Sequence, residues 1–129
     1  MELKRVVVTG LGALTPLGHN VEETWEALKS GKSGAGPITH FDASQFKTQF
    51  ACEVKNFNVA DYIDRKEARK MDIYEQYAVV AAMEAMKDAN FDLEKLDRTK
   101  AGVVLGVGIG GMHTFEEECS NWAVNGKEM

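Results

Sequence analysis

Several things are scarce in this chain. No stretch approaches the ~20 consecutive apolar residues that a bilayer span needs, so no membrane association is expected. The N-terminus, MELKRVVVTGLG, has no apolar core and no small-residue cleavage site of the kind a secretory signal carries. Cysteine occurs twice, as Cys52 and Cys119, far apart, which excludes a disulfide framework and favours reduced thiols in the cytoplasm. The three histidines, His19, His40 and His113, are isolated, and no Cys/His spacing suits zinc, so no metal and no cofactor are expected. A basic excess is also missing. Fifteen Lys and Arg face twenty Asp and Glu, a formal charge of -5, so nucleic acid is not an expected partner and any basic recognition must be local. There is no internal repeat and no low-complexity tract, and 129 residues suit one domain or part of a larger one.

What is present reads as alternating strands and helices. Val6, Val7 and Val8, stopped by Thr9-Gly10, predict a strand buried on both faces, as in a parallel sheet. LGALTPLG, residues 11 to 18, is a loop. Asn20 with Glu23 marks a helix start, Val21, Trp25 and Leu28 form its apolar stripe, and Gly31 supplies its left-handed stop. Residues 38 to 58 are irregular, with a short strand around Phe50, Cys52 and Val54. Asp61 to Met71 predicts a polar helix. Asp72 with Glu75 caps a longer one, which Asn90 ends. Its alanines, Ala78, Ala81, Ala82, Ala85 and Ala89, allow close approach of a neighbour. Residues 91 to 100 are a connector. Ala101 to Leu105 is a second buried-type strand, leading into GVGIGG and a further possible helix. The order implies an α/β architecture.

GVGIGG, residues 106 to 111, matches a dinucleotide-binding turn letter for letter. Its context argues otherwise. About a hundred residues precede it, no acidic strand end follows at the right distance, and Glu116, Glu117 and Glu118 would repel a phosphate. The alternative is that the glycines permit unusual backbone angles and close packing, leaving Ile109 as the one bulky side chain on the turn.

Neither cysteine has a local activator, and Cys119 follows three carboxylates, so both read as small buried hydrophobes and not as nucleophiles. In DRKEARKMD, residues 64 to 72, Arg65 and Arg69 are four apart, as are Lys66 and Lys70. Four cations thus share one side of a helix. Spacing alone favours a solvated helix whose charges pair with Asp61, Asp64, Glu67 and Asp72.

RVVVTGLGALTPLG (5 to 18), GKSG (31 to 34), HFDAS (40 to 44), DRKEARKMD (64 to 72) and GVGIGG (106 to 111) together resemble the N-terminal part of the β-ketoacyl-acyl-carrier-protein synthases, most of all their type II members. The resemblance runs through nearly the whole chain. It implies a thiolase-like α/β fold, of which residues 1 to 129 form the incomplete N-terminal half of one ketosynthase domain, and a homodimer for the full-length protein. It implies decarboxylative condensation of an acyl chain with malonyl carrier protein in fatty acid synthesis. The cysteine and two histidines of that reaction are expected beyond residue 129, so no residue here is expected to be catalytic and the chain alone is expected to be inactive. The resemblance also reverses the reading of the basic helix. Arg65, Lys66, Arg69 and Lys70 become a docking patch for acyl carrier protein, and Ile109 with Gly108 becomes the gate of an acyl pocket. Two other readings stay open: a non-catalytic carrier-binding or dimerisation module, and a small nucleotide-binding domain using GVGIGG.

Overall fold

The computed structural model describes residues 3 to 90 and 92 to 126. Helix α1, Val21–Lys29, begins where expected. The Asn20 side chain accepts the Glu23 N–H at 2.7 Å, and the Glu23 side chain accepts the His19 N–H at 2.8 Å, one residue earlier than a standard capping box. It ends on Gly31 at φ 68, with Gly31 N–H bonded to Leu28 O and Lys32 N–H to Ala27 O, a Schellman closure. Strands β1, Gly36–Pro37, and β2, Phe50–Ala51, pair antiparallel. A 3-10 turn at Val59–Asp61 precedes α2, Arg65–Ala68. Helix α3, Ile73–Asp88, carries the full Asp72/Glu75 capping box and stops before Asn90, whose φ is 49. Helix α4, Met112–Asn125, follows the glycine turn.

The contact that organises the N-terminal half lies between a loop and the alanine face of α3. A Cβ added to Gly10 would lie 2.6 Å from Ala89 N. One added to Gly12 would lie 2.7 Å from Ala85 N and strike the Ala81 carbonyl. Backbone therefore lies directly on backbone, which only glycine facing alanine permits. Two carboxylates lock this arrangement. Asp88 accepts the Leu11 N–H at 2.8 Å. Glu84 accepts the Ala13 N–H at 2.8 Å through one oxygen and the Val21 N–H, at the start of α1, at 2.9 Å through the other. Phe57 forms a second cluster, stacked on Tyr62 at 5.7 Å and edge-on to Tyr77 at 5.1 Å and His19 at 6.0 Å.

Several expectations are corrected. Val6–Val8 and Ala101–Leu105 belong to no strand pair among the described residues, and they are exposed, Val6 at 87% and Val104 at 97%. β-Branched runs favour extension, but a buried strand needs a ladder partner and two covering layers, and among the described residues these runs have no ladder partner. The Trp25 and Leu28 stripe of α1 likewise stays exposed, and the buried residue of that helix is Ala27. The strand around Phe50, Cys52 and Val54 contracts to Phe50–Ala51, and Cys52 and Cys119 are both exposed, not buried. The single helix over 61 to 71 is split. Asn58 caps the 3-10 turn, and Asp64 captures the Lys66 N–H at 2.8 Å and starts a new helix. Buried positions among the described residues are small: Ala27, Ala43, Ala68 and Val80.

Candidate functional site

The four cations of residues 65 to 70 stand on α2 and its C-terminal continuation, all exposed. Ala68 is the buried residue that seats the helix. The acids expected to neutralise the cations are mostly engaged elsewhere. Asp64 holds the backbone of α2, Asp61 accepts from the Asn58 amide at 2.8 Å, and Asp72 caps α3. Only Glu67 pairs, with Lys70 at 2.7 Å, in a solvated ion pair of little energetic weight. Arg65, Lys66 and Arg69 form no ion pair among the described residues. Arg65 and Arg69 line a cleft of about 470 Å³ whose apolar wall is Val59, Ala60, Ala68 and Met71. Gln76 braces that cleft by donating to the Ala68 and Met71 carbonyls, each at 3.1 Å.

A second cleft, about 650 Å³, lies between α3 and the glycine turn. Met71, Tyr74, Glu75, Ala78 and Val79 form one wall, and Leu105, Gly106, Val107 and Gly108 the other. Met71 faces both clefts. Gly108 thus lines the apolar space beside the turn, whereas Ile109 stands 81% exposed and is not part of the lining. Two of the glycines are demanded locally. A Cβ on Gly110 would sit 2.9 Å from the Tyr74 ring, and Gly111 has φ 70. Around Gly106 and Gly108 there is open space. Partial burial, then the neighbouring Glu75 and Asp72 charges, push the Tyr74 phenol above its ordinary value.

The anion at the N-terminus of α4 is a side chain of the same protein. The Asp72 carboxylate accepts the Thr114 hydroxyl at 2.7 Å and lies beside Gly111. A phosphate arriving at that helix end would meet a negative charge already in place, which counts against the nucleotide reading. Sequence patterning missed this bond, since its partners are 42 residues apart; a cap residue with one spare oxygen beside a helix lacking its own cap was the available signal.

The cysteines and histidines are dispersed. His19 Nε2 lies in hydrogen-bond contact with the Lys55 carbonyl at 2.7 Å, His40 lies 3.9 Å from Glu53, and His113 lies 3.4 Å from Glu117 on α4. Among the described residues no group of three or more His, Cys, Asp or Glu is arranged to hold a metal ion. No helix among them is long and apolar enough to cross a membrane.

Residues 3–127 match the family model described as beta-ketoacyl synthase, N-terminal domain. The chain is 51% identical over 113 residues to 3-oxoacyl-[acyl-carrier-protein] synthase 2 of Staphylococcus aureus (strain COL), covering 88% of this chain and 27% of that protein. It is 45% identical over 118 residues to the protein of the same name from Synechocystis sp. (strain ATCC 27184 / PCC 6803 / Kazusa), covering 92% and 28%. The chain therefore spans about a quarter of the length of these curated relatives. Among solved structures it resembles the ishigamide ketosynthase/chain length factor, with a TM-score of 0.80 and 34% identity over 93% of this chain and 30% of that one. It also resembles a type II polyketide ketosynthase solved with its acyl-carrier protein and bound to the hexaketide, with a TM-score of 0.73 and 27% identity over 96% and 32%. The architecture is a partial thiolase-like α/β fold.

Proposed function

The chain belongs to the β-ketoacyl synthase family, through that family's N-terminal domain, and from this premise we propose that it forms the carrier-docking, pocket-lining portion of a cytoplasmic, homodimeric condensing enzyme that elongates fatty acyl chains. The reaction joins an acyl thioester to malonyl carrier protein with loss of carbon dioxide. Cys52, Cys119 and the three histidines are assigned no part in it. This portion recognises the acyl carrier protein through Arg65, Lys66, Arg69 and Lys70, lines the acyl pocket with Gly108 and gates it with Ile109.

The observation that carries this reading is a group of exposed cations, on α2 and just beyond its end, that mostly lack a direct ion pair. Three of the four, Arg65, Lys66 and Arg69, form no ion pair among the described residues, while Asp61, Asp64 and Asp72 are oriented by a turn and by helix caps. An acidic partner benefits from such a surface mainly in rate of encounter and in orientation. The cleft between Arg65 and Arg69 offers an apolar side chain of that partner a seat.

Titration with acyl carrier protein tests the proposal. Lys66→Glu/Lys70→Glu exchanges two attractive interactions for two repulsive ones. At roughly 0.5 kcal/mol for each attraction removed and each repulsion introduced, the total is about 2 kcal/mol, or about thirtyfold in Kd. The effect should shrink as salt is raised. Equal affinity in parent and variant at low salt would refute the docking role.

A further inference from the structure

Helix α4 starts without a cap of its own. Its N-cap is Gly111, in the left-handed region at φ 70 and ψ 13, and glycine offers no side-chain acceptor. The bond from the Thr114 hydroxyl to Asp72 is, among the described residues, the one hydrogen bond joining α4 to a distant part of the chain. Asp72 is itself tightly held. One oxygen accepts the Ile73 N–H at 2.8 Å, and its own N–H is held by Glu75 at 2.7 Å. The other oxygen takes Thr114. One carboxylate therefore serves the N-termini of two helices, and negative charge is favourable at both. The glycine turn leads into α4 and faces α3 across the larger cleft. The turn packs on Tyr74 through Gly110, and Asp72 lies beside Gly111 and holds Thr114 in the first turn of α4.

We propose that Asp72 is a positioning residue for this turn: by holding Thr114 it sets where Ile109 stands relative to the cleft above α3. The proposal rests on the reading of that turn as the border of an acyl pocket, since a tether matters to function only if the turn must be placed. Without the bond, with open space around Gly106 and Gly108, the contact of Gly110 on Tyr74 is left to hold the turn.

The test uses the 129-residue chain with a nitroxide label at Ile109→Cys, in a Cys52→Ser/Cys119→Ser background that removes the two exposed thiols. Thr114→Val deletes the hydroxyl and leaves the cap of α3 intact, and Thr114→Ser restores the hydroxyl. The expected result is a mobile spectral component about fivefold larger in Thr114→Val, with Thr114→Ser like the parent and helix content unchanged in all three. Equal mobility in the valine variant and the parent overturns the proposal. So does equal release in valine and serine, which would assign the effect to packing. Binding of a dodecanoyl pantetheine thioester is measured in parallel on the chain with Ile109 intact. Its failure, with the labels behaving as expected, refutes the acyl-pocket reading and leaves the tether established.

Discussion

Gly12→Ala introduces a single methyl group at the most crowded point of the loop–helix packing. The new Cβ would lie 2.7 Å from Ala85 N and overlap the Ala81 carbonyl oxygen. Both neighbours are helix backbone and cannot swing away as a side chain could, so relief requires the loop to lift by about an ångström to clear the overlap. Lifting stretches the bonds from Leu11 N–H to Asp88 and from Ala13 N–H to Glu84, each 2.8 Å at present. Overpacking of this kind costs typically ~1–3 kcal/mol, and two weakened hydrogen bonds to carboxylates add about 1 kcal/mol each in such partly solvated surroundings. The sum is about 3–5 kcal/mol on those figures. Gly106→Ala is the matched control, since nothing lies within 4 Å of its Cβ position. Urea titration of the helical circular-dichroism signal should therefore separate the two substitutions widely under identical conditions. Amide exchange should show Leu11 and Ala13 losing protection in Gly12→Ala only. If Gly12→Ala stays within about 0.5 kcal/mol of the parent, the ordinary range for surface changes, then the backbone packing on α3 does not support the fold.

Glu84→Gln removes the charge that holds Ala13 N–H and Val21 N–H together and turns one acceptor into a donor facing an N–H. A loss of about 2 kcal/mol is expected, read as faster exchange at both amides; unchanged exchange at both contradicts the bridging role. At Glu53, whose side chain is only 10% exposed, the Thr39 N–H and then the Thr39 hydroxyl hold the carboxyl below its ordinary value, with a smaller contribution from His40. The sign follows from linkage. The stabilisation is complete above the unfolded value near pH 4.5 and disappears as pH falls through the lower folded value. Thr39 amide protection relative to Glu53→Gln should thus be high at neutral pH and vanish in acid. A difference that grows in acid would show the sign to be wrong. The exposed apolar runs around Val7 and Val104 should make the chain self-associate. Val7→Asp/Val104→Asp should lower the light-scattering mass, and a sharply melting monomer of the parent chain would refute this.

Local chemistry was legible from the residues alone. Asn20, Gly31, the Asp72/Glu75 pair and Asn90 each mark a helix end through groups close by in sequence, and each does so in the structure. The order of RVVVTGLGALTPLG, DRKEARKMD and GVGIGG was sufficient to point to the family that residues 3–127 match. The alanine content of α3 also foretold close approach, though not what would approach it.

Tertiary structure decided the rest, because the deciding partners are remote in sequence. Gly12 is seated by Ala81 and Ala85, Leu11 by Asp88, and Thr114 by Asp72, and no periodicity encodes those pairings. Whether a valine run becomes a buried strand depends on a ladder partner and two covering layers. Val6–Val8 and Val103–Leu105 have the propensity and lie exposed. The basic segment shows the same division. Spacing placed four cations on one side of a helix, but only the structure shows that Asp61, Asp64 and Asp72 are held by other tasks. A carboxylate near a cation in sequence pairs with it directly only if other donors have not already set its orientation, here backbone N–H groups for Asp64 and Asp72 and the Asn58 amide for Asp61.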